Sequence, residues 1–158
     1  MNKYWDNKIR YLANMDNSLL LDDANVVTTN GCFDVFHFGH LMSLYRASQL
    51  GSRLIVGLNS DESVSRLKGA ERPVCAEYQR ASMVAAFPFV EQVVIFEEDS
   101  PVEFLEKIKP SIHCKGEDYQ DRLQTIPEYS LMAKWGGRVE LIPLEDDLST
   151  TRVIHFFR

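Results

Sequence analysis

The sequence predicts an α/β fold, a doubly wound parallel sheet of about five strands with helices on both faces. Short apolar runs typical of buried strands alternate along the chain with longer segments whose apolar residues recur at helical spacing. Such strand–helix–strand units make parallel sheets covered by helices on both faces, and ligands bind at the carboxyl ends of the strands. Residues that end a strand are therefore candidate site residues.

Five strands are predicted from apolar runs bounded by polar or turn residues. In chain order they are Asn25 to Thr29, Arg53 to Leu58, Gln92 to Phe96, Ser111 to Lys115 and Val139 to Leu144.

Helices are predicted between these strands. One runs from Gly39 to a stop at Gly51, and a second covers Glu77 to Phe87. A third begins at Ser100-Pro101, where a capping-box spacing precedes apolar residues, and a fourth covers Pro127 to Trp135 before two glycines.

The first 24 residues follow a different pattern. Their apolar residues Tyr4, Trp5, Ile9 and Leu12 predict an amphipathic helix before a polar turn. We expect a single domain over residues 1–158, in which residues 1–24 are an N-terminal helical extension that packs on the core or contacts another subunit.

The composition is that of an ordinary globular domain. The chain has 158 residues, 45% hydrophobic and 25% charged, enough for one core. A net charge of −6 argues against nucleic-acid binding, which needs a basic surface. No apolar stretch has membrane-spanning length and the start lacks a signal-peptide core, so we expect a cytoplasmic protein without a membrane partner. Three cysteines in unrelated segments are expected to stay reduced.

The most informative segment, Gly31 to His40, joins the first predicted strand to the first predicted helix. His37 and His40 lie three residues apart at the start of that helix, where unpaired N–H groups and the helix dipole favour an anion. Gly39 lets a ligand approach the backbone closely. The segment therefore predicts a phosphate site. Asp34, polar among apolar neighbours, is expected to orient another group by hydrogen bonds.

The two histidines and Cys32 also raise a zinc site. A structural zinc site needs four ligands, commonly in paired spacings, and the other Cys and His residues are scattered. The sequence has no Walker loop, no Gly-x-Gly-x-x-Gly turn and no Gly-x-Ser-x-Gly motif. We therefore predict no metal held by the protein, and a phosphate site of another kind.

The frame Gly-x-Phe-Asp-x-x-His-x-Gly-His at residues 31–40 resembles the signature of the cytidylyltransferase-like nucleotidyltransferases. Further segments match that family in order, over roughly residues 25 to 155: Thr29-Asn30-Gly31, Asn59-Ser60-Asp61, Arg66-Leu67-Lys68-Gly69, Arg72-Pro73-Val74 with Arg80, Lys115 to Tyr119, and Ser149-Thr150-Thr151.

This resemblance implies a Rossmann-like fold and transfer of a nucleoside monophosphate to a phosphorylated small molecule. The pattern is most similar to the heptose 1-phosphate adenylyltransferases, which implies that AMP passes from ATP to a sugar 1-phosphate, expected to be D-glycero-D-manno-heptose 1-phosphate, giving ADP-heptose and pyrophosphate. Mg²⁺ is expected on the triphosphate, and a homodimer is expected. The alternatives are a CTP-dependent enzyme acting on glycerol 3-phosphate or a similar alcohol phosphate, and a nucleotide-binding module without turnover.

The resemblance also implies roles for single residues. It implies catalysis by His37, His40 and Lys68. It implies nucleotide contacts from Thr29, Asn30, Gly31, Cys32, Phe33, Gly39, Arg80, Lys115, Gly116, Asp118, Ser149, Thr150 and Thr151. Acceptor contacts are predicted for Asp34 and Arg72, and for Asn59 and Asp61 because they end the second strand and could reach a sugar hydroxyl. Simpler roles stay open: a solvated loop for each basic residue, a turn at Gly116, a surface acid at Asp118, and helix caps at Asp61 and Ser149.

Overall fold

A parallel sheet of six strands forms the centre of the structure, a computed structural model that describes residues 3–16 and 25–145. The strands are Ile9–Tyr11 (β1), Val26–Gly31 (β2), Arg53–Asn59 (β3), Gln92–Phe96 (β4), Ile112–Gly116 (β5) and Arg138–Ile142 (β6). Their order across the sheet is β1-β4-β3-β2-β5-β6, and every neighbouring pair is parallel.

The five predicted strands are confirmed as β2 to β6. The last one ends at Ile142, two residues earlier than predicted, because Pro143 has no N–H to donate to the sheet. The sheet has a sixth strand, β1, that the pattern does not predict.

The predicted N-terminal helix is wrong for the residues that the structure describes there. Two short 3₁₀ turns, Asp6–Lys8 and Leu12–Asn14, lie on either side of β1. Ile9 is in register with Val93 of β4. The backbone N–H and C=O groups along the edge of β4 gain hydrogen-bond partners from β1, and a helix would leave them unpaired. This gain outweighs the weak helical pattern of the N-terminal residues.

Helices cover both faces of the sheet, as predicted. They are Phe38–Ser48 (α1), Asp61–Lys68 (α2), Glu77–Ala85 (α3), Val102–Ile108 (α4) and Pro127–Ala133 (α5). One core cluster packs α1 and α3 against one face, through residues such as Leu44 and Val84. A second cluster packs α4 and α5 against the other, through Phe104 and Leu131. Among the described residues, no helix has both the length and the apolar character that a membrane span requires.

The order of the strands reverses between β2 and β5. From β2 the chain moves outward through β3 and β4 on one side, and it later returns to place β5 and β6 on the other. Connections that leave neighbouring strands in opposite directions open a crevice at their carboxyl ends, where open α/β sheets bind ligands. The topology therefore predicts a binding site beside Gly31 and Gly116, where β2 and β5 end.

Candidate functional site

A cavity of about 810 Å³ opens at this reversal point. Fourteen of the predicted site residues line it: Thr29, Asn30, Gly31, Cys32, Phe33, Asp34, His37, Gly39, His40, Asn59, Lys68, Arg72, Lys115 and Gly116. Asp118 lines a smaller adjoining compartment of about 200 Å³. The predicted contacts from Ser149, Thr150 and Thr151 fall outside the described residues.

A left-handed turn at Phe33 leads from β2 into the site. Phe33 has a φ of 48°, a region that bulky residues rarely adopt and that recurs at functional sites. Its ring is buried, 5.2 Å from the imidazole centre of His40. A Cβ on Gly31 would lie 3.1 Å from that ring, so glycine allows the turn to close. The turn directs the chain from the end of β2 toward the start of α1.

His37 and His40 lie side by side at the N-terminus of α1. His37 is the N-cap residue, and the two imidazoles stack with their centres 3.9 Å apart and their planes 23° apart. The Nδ1 atoms of both are buried and have no hydrogen-bond partner in the described part of the chain. A buried polar atom without a partner costs about 1–3 kcal/mol, so this geometry favours a ligand that supplies one.

Burial keeps both imidazoles neutral near pH 7. It lowers the pKa of His37, and burial together with the neighbouring His37 lowers the pKa of His40 from 6.5 to about 4. A neutral imidazole has one N–H donor and one acceptor nitrogen, so each ring can donate to a phosphate oxygen. Charge that develops on that oxygen is then stabilised by donors already in place.

Asp34 fastens the loop that follows α2 to the cavity wall. Asp34 is 3% exposed, and its carboxylate accepts hydrogen bonds from the backbone N–H groups of Val74 at 2.7 Å and Cys75 at 3.0 Å. It also accepts from the Nε of Arg72. These are the orienting hydrogen bonds expected of Asp34, and they hold the guanidinium of Arg72 beside the cavity.

Lys68 and Arg66 face different surroundings, although both lie in the last turn of α2. Residues two apart project from different sides of a helix. Lys68 is exposed and lines the cavity. Arg66 instead pairs with Asp99, at 2.8 Å from its Nε, and does not line the cavity. The structure therefore puts the side chain of Lys68 at the cavity and that of Arg66 away from it.

Arg80 and Asp61 lie behind the cavity wall, although both were predicted to contact ligands. The side chain of Arg80 is fully buried and donates to the carbonyl oxygens of Cys32, Asn59 and Cys75 at 2.6, 2.8 and 2.9 Å. It also forms an ion pair of 2.7 Å with Asp61. This arrangement braces the ends of β2 and β3 against α3, and ligand contact by either residue stays a prediction.

Lys115 and Gly116 form the opposite wall of the cavity. The ammonium of Lys115 donates to Oδ1 of Asn30 at 3.0 Å. A Cβ on Gly116 would lie 2.4 Å from a carboxylate oxygen of Asp118, so a larger residue would displace that acid. Tyr119 lies nearby, with its ring centre 5.1 Å from the Lys115 ammonium.

Six further residues line the cavity without having been predicted as site residues: Ser43, Leu67, Cys114, Tyr119, Leu144 and Glu145. Ser43 lies three residues after His40, on the same side of α1. Leu144 and Glu145 follow β6, so the rule that ligands bind at the carboxyl ends of strands was the available signal. For Tyr119 the available signal was its place at the end of the Lys115 to Tyr119 segment that matches the family.

The thiols in the cavity are poor nucleophiles at neutral pH. Burial raises the pKa of Cys114 to about 12 and also raises the pKa of Cys32. The reactive form of cysteine is the thiolate, which both environments disfavour. In residues 3–16 and 25–145, no group of three or more His, Cys, Asp or Glu side chains is arranged to hold a metal ion.

Comparison with known proteins places this arrangement in a family. A family model described as "Cytidylyltransferase-like" matches residues 28–156. The "Bifunctional protein HldE" of Campylobacter jejuni strain RM1221 is 49% identical over 150 residues, which are 95% of this chain and 31% of that protein. The protein of the same name from Syntrophotalea carbinolica is 43% identical over 153 residues, with the same two shares. The chain thus spans about a third of the length of these relatives.

Solved structures share the fold at lower identity. The "lipopolysaccharide core biosynthesis protein" of Thermoplasma volcanium has a TM-score of 0.60 at 24% identity, covering 77% of this chain and 96% of that chain. Pantoate-beta-alanine ligase from Francisella tularensis has a TM-score of 0.63 at 13% identity, covering 92% of this chain and 73% of that chain. Such low identities show the fold alone, which is the Rossmann-like fold expected here. The family model, which matches most of the chain, shows that the chain belongs to the cytidylyltransferase-like family.

Proposed function

We propose that this domain is a nucleotidyltransferase that moves AMP from ATP to D-glycero-D-manno-heptose 1-phosphate, forming ADP-heptose and releasing pyrophosphate. The observation that carries the proposal is the stacked, neutral pair His37 and His40 at the N-terminus of α1, with buried nitrogens that lack partners among the described residues. The choice of acceptor rests on the motif pattern, which is most similar to the heptose 1-phosphate adenylyltransferases.

The reaction needs stabilisation of charge more than covalent chemistry. An oxygen of the acceptor phosphate attacks the α-phosphorus of the MgATP substrate in line, and pyrophosphate leaves from the opposite side. His37 and His40 donate hydrogen bonds to phosphoryl oxygens whose charge increases in the transition state. Lys68, at the rim of the cavity, and Arg72, held by Asp34, supply positive charge.

The sheet supports a division of the cavity into two sides. β2 leads to the histidines and lies between β3 and β5. The predicted nucleotide residues Lys115 and Gly116 end β5, whereas the predicted acceptor residue Asn59 ends β3. In this proposal the nucleotide binds on the β5 side, the acceptor binds on the β3 side, and the reacting phosphates meet beside the imidazoles.

Pyrophosphate release tests this proposal directly. We expect the protein to release pyrophosphate from ATP when heptose 1-phosphate is present, and to release little without an acceptor. A nucleotide-binding module without turnover would bind ATP but release none with any sugar phosphate. Release with CTP but not with ATP would favour the cytidylyltransferase alternative.

Lys68→Ala is expected to lower kcat/KM by about 10²-fold, because a cation beside the phosphates serves both binding and the transition state. Steady-state kinetics with each substrate varied in turn would measure this effect. Arg66→Ala is the matched control, since it removes a basic residue from the same helical turn but one that pairs with Asp99 outside the cavity. Similar losses in the two variants would contradict the assignment of Lys68.

A further inference from the structure

Glu128 is a buried acid that belongs neither to the sequence motifs nor to the cavity lining. It lies in the first turn of α5, where its side chain is 5% exposed. Its Oε1 is 2.8 Å from the ammonium nitrogen of Lys115, whose side chain is 9% exposed. The two residues therefore form an ion pair that is largely removed from water.

Lys115 connects this ion pair to the candidate site. Its ammonium also donates to Asn30 at 3.0 Å, and Lys115, Asn30 and Tyr119 all line the cavity. An ammonium has three N–H donors. Asn30 accepts from one of them, Glu128 forms an ion pair with the ammonium, and no third acceptor is found among the described residues. Glu128 thus acts on the cavity through Lys115.

The ion pair is better explained by its effect on the position of the Lys115 side chain than by a contribution to the stability of the fold. Removing two charges from water offsets most of their attraction, and well-packed apolar residues often stabilise a protein as much or more. Glu128 fixes the location of the long, flexible side chain of Lys115 and cancels the positive charge of its ammonium. His113 in β5 adds no charge, because burial and the nearby Lys115 hold its pKa well below its ordinary value.

Building on the proposed function, we propose that Glu128 is a positioning residue that fixes the ammonium of Lys115 so that its remaining N–H donates to the nucleoside part of the nucleotide. A neutral ion pair presents a directed donor instead of a net positive charge. It therefore suits an uncharged acceptor atom better than a phosphate oxygen, for which His37, His40 and Lys68 are already present.

Glu128→Gln tests the inference, because it keeps the size and one acceptor oxygen but removes the charge. Calorimetry without the acceptor substrate is expected to give Kd values for ATP and for AMP that are both about tenfold higher, as for one weakened charge-assisted hydrogen bond. The Kd for inorganic pyrophosphate is expected to stay within about twofold. Glu140→Gln is the matched control: that acid is partly exposed, pairs with Arg138 and lies outside the cavity lining.

A double-mutant cycle separates positioning from structural support. In a Lys115→Met background, Glu128→Gln is expected to change the Kd for ATP by less than about twofold, because the group through which it acts is gone. Should Glu128→Gln unfold, Lys115→Met/Glu128→Leu replaces the pair with apolar side chains and is compared with Lys115→Met alone; equal Kd values support the inference and unequal ones overturn it.

Other outcomes also decide the inference. Unchanged ATP and AMP binding by folded Glu128→Gln would overturn it, and so would tighter pyrophosphate binding, which would assign Glu128 to charge cancellation alone. Failure of the unmodified protein to bind ATP would instead contradict the proposed function, so the two failures are distinguishable.

Discussion

With ATP as the nucleotide, heptose 1-phosphate is expected to react with a kcat/KM roughly 10⁴-fold above that of glycerol 3-phosphate. Asn59, which is 3% exposed at the end of β3, lines the side of the cavity that is proposed to bind the acceptor. Its Nδ2 donates to Ser63 at 2.9 Å, but within residues 3–16 and 25–145 its Oδ1 receives only a long 3.9 Å contact from the thiol of Cys32. A small acceptor would leave such groups buried without a strong partner, which is the most effective basis for rejecting a substrate.

Initial rates of pyrophosphate release with ATP and CTP against both acceptors measure this selectivity. ATP with glycerol 3-phosphate reports the acceptor preference, and CTP with heptose 1-phosphate reports the nucleotide preference. A clear preference for CTP with glycerol 3-phosphate would overturn the proposed substrates and leave nucleotidyl transfer standing.

Replacing His37 or His40 by Ala is expected to lower kcat by roughly 10²-fold or more, while the Kd for ATP changes much less. The reason is that their donors act most strongly on charge that appears in the transition state. Single-turnover rates and equilibrium ATP binding would separate the two effects. Because the rings stack at 3.9 Å, the loss in the double variant is expected to be smaller than the product of the single losses.

The pH profile provides a control for this assignment. The active form of His40 is neutral, and its pKa is lowered to about 4, so kcat/KM is expected to fall only as the pH drops toward that value, not near 6.5.

Full activity in the variant that lacks both His37 and His40 would exclude the role assigned to these imidazoles. Unfolding of that variant together with loss of bound zinc would instead favour the metal site considered from the sequence.

Much of the sheet can be predicted from local pattern. A buried parallel strand needs an apolar run and a turn at each end, and β2 to β6 all carry that signal. β1 does not, because three residues are too few for a period to be recognised, and its conformation depends on the free edge of β4. α2 is also missed: its eight residues bury only Ser63 and Val64.

The sequence by itself determines the family, the junction between β2 and α1 where an anion is expected, and most of the residues that line the cavity. These follow from motifs and from the rule that strand ends meet at one edge of a parallel sheet. Only the tertiary structure decides which polar groups become partners. It pairs Arg80 with Asp61 behind the cavity wall and pairs Lys115 with Glu128. It also buries His40 deeply enough for the imidazole to remain neutral. The physical reason is that a hydrogen-bond partner and a pKa depend on neighbours brought together by packing, which a linear pattern does not contain.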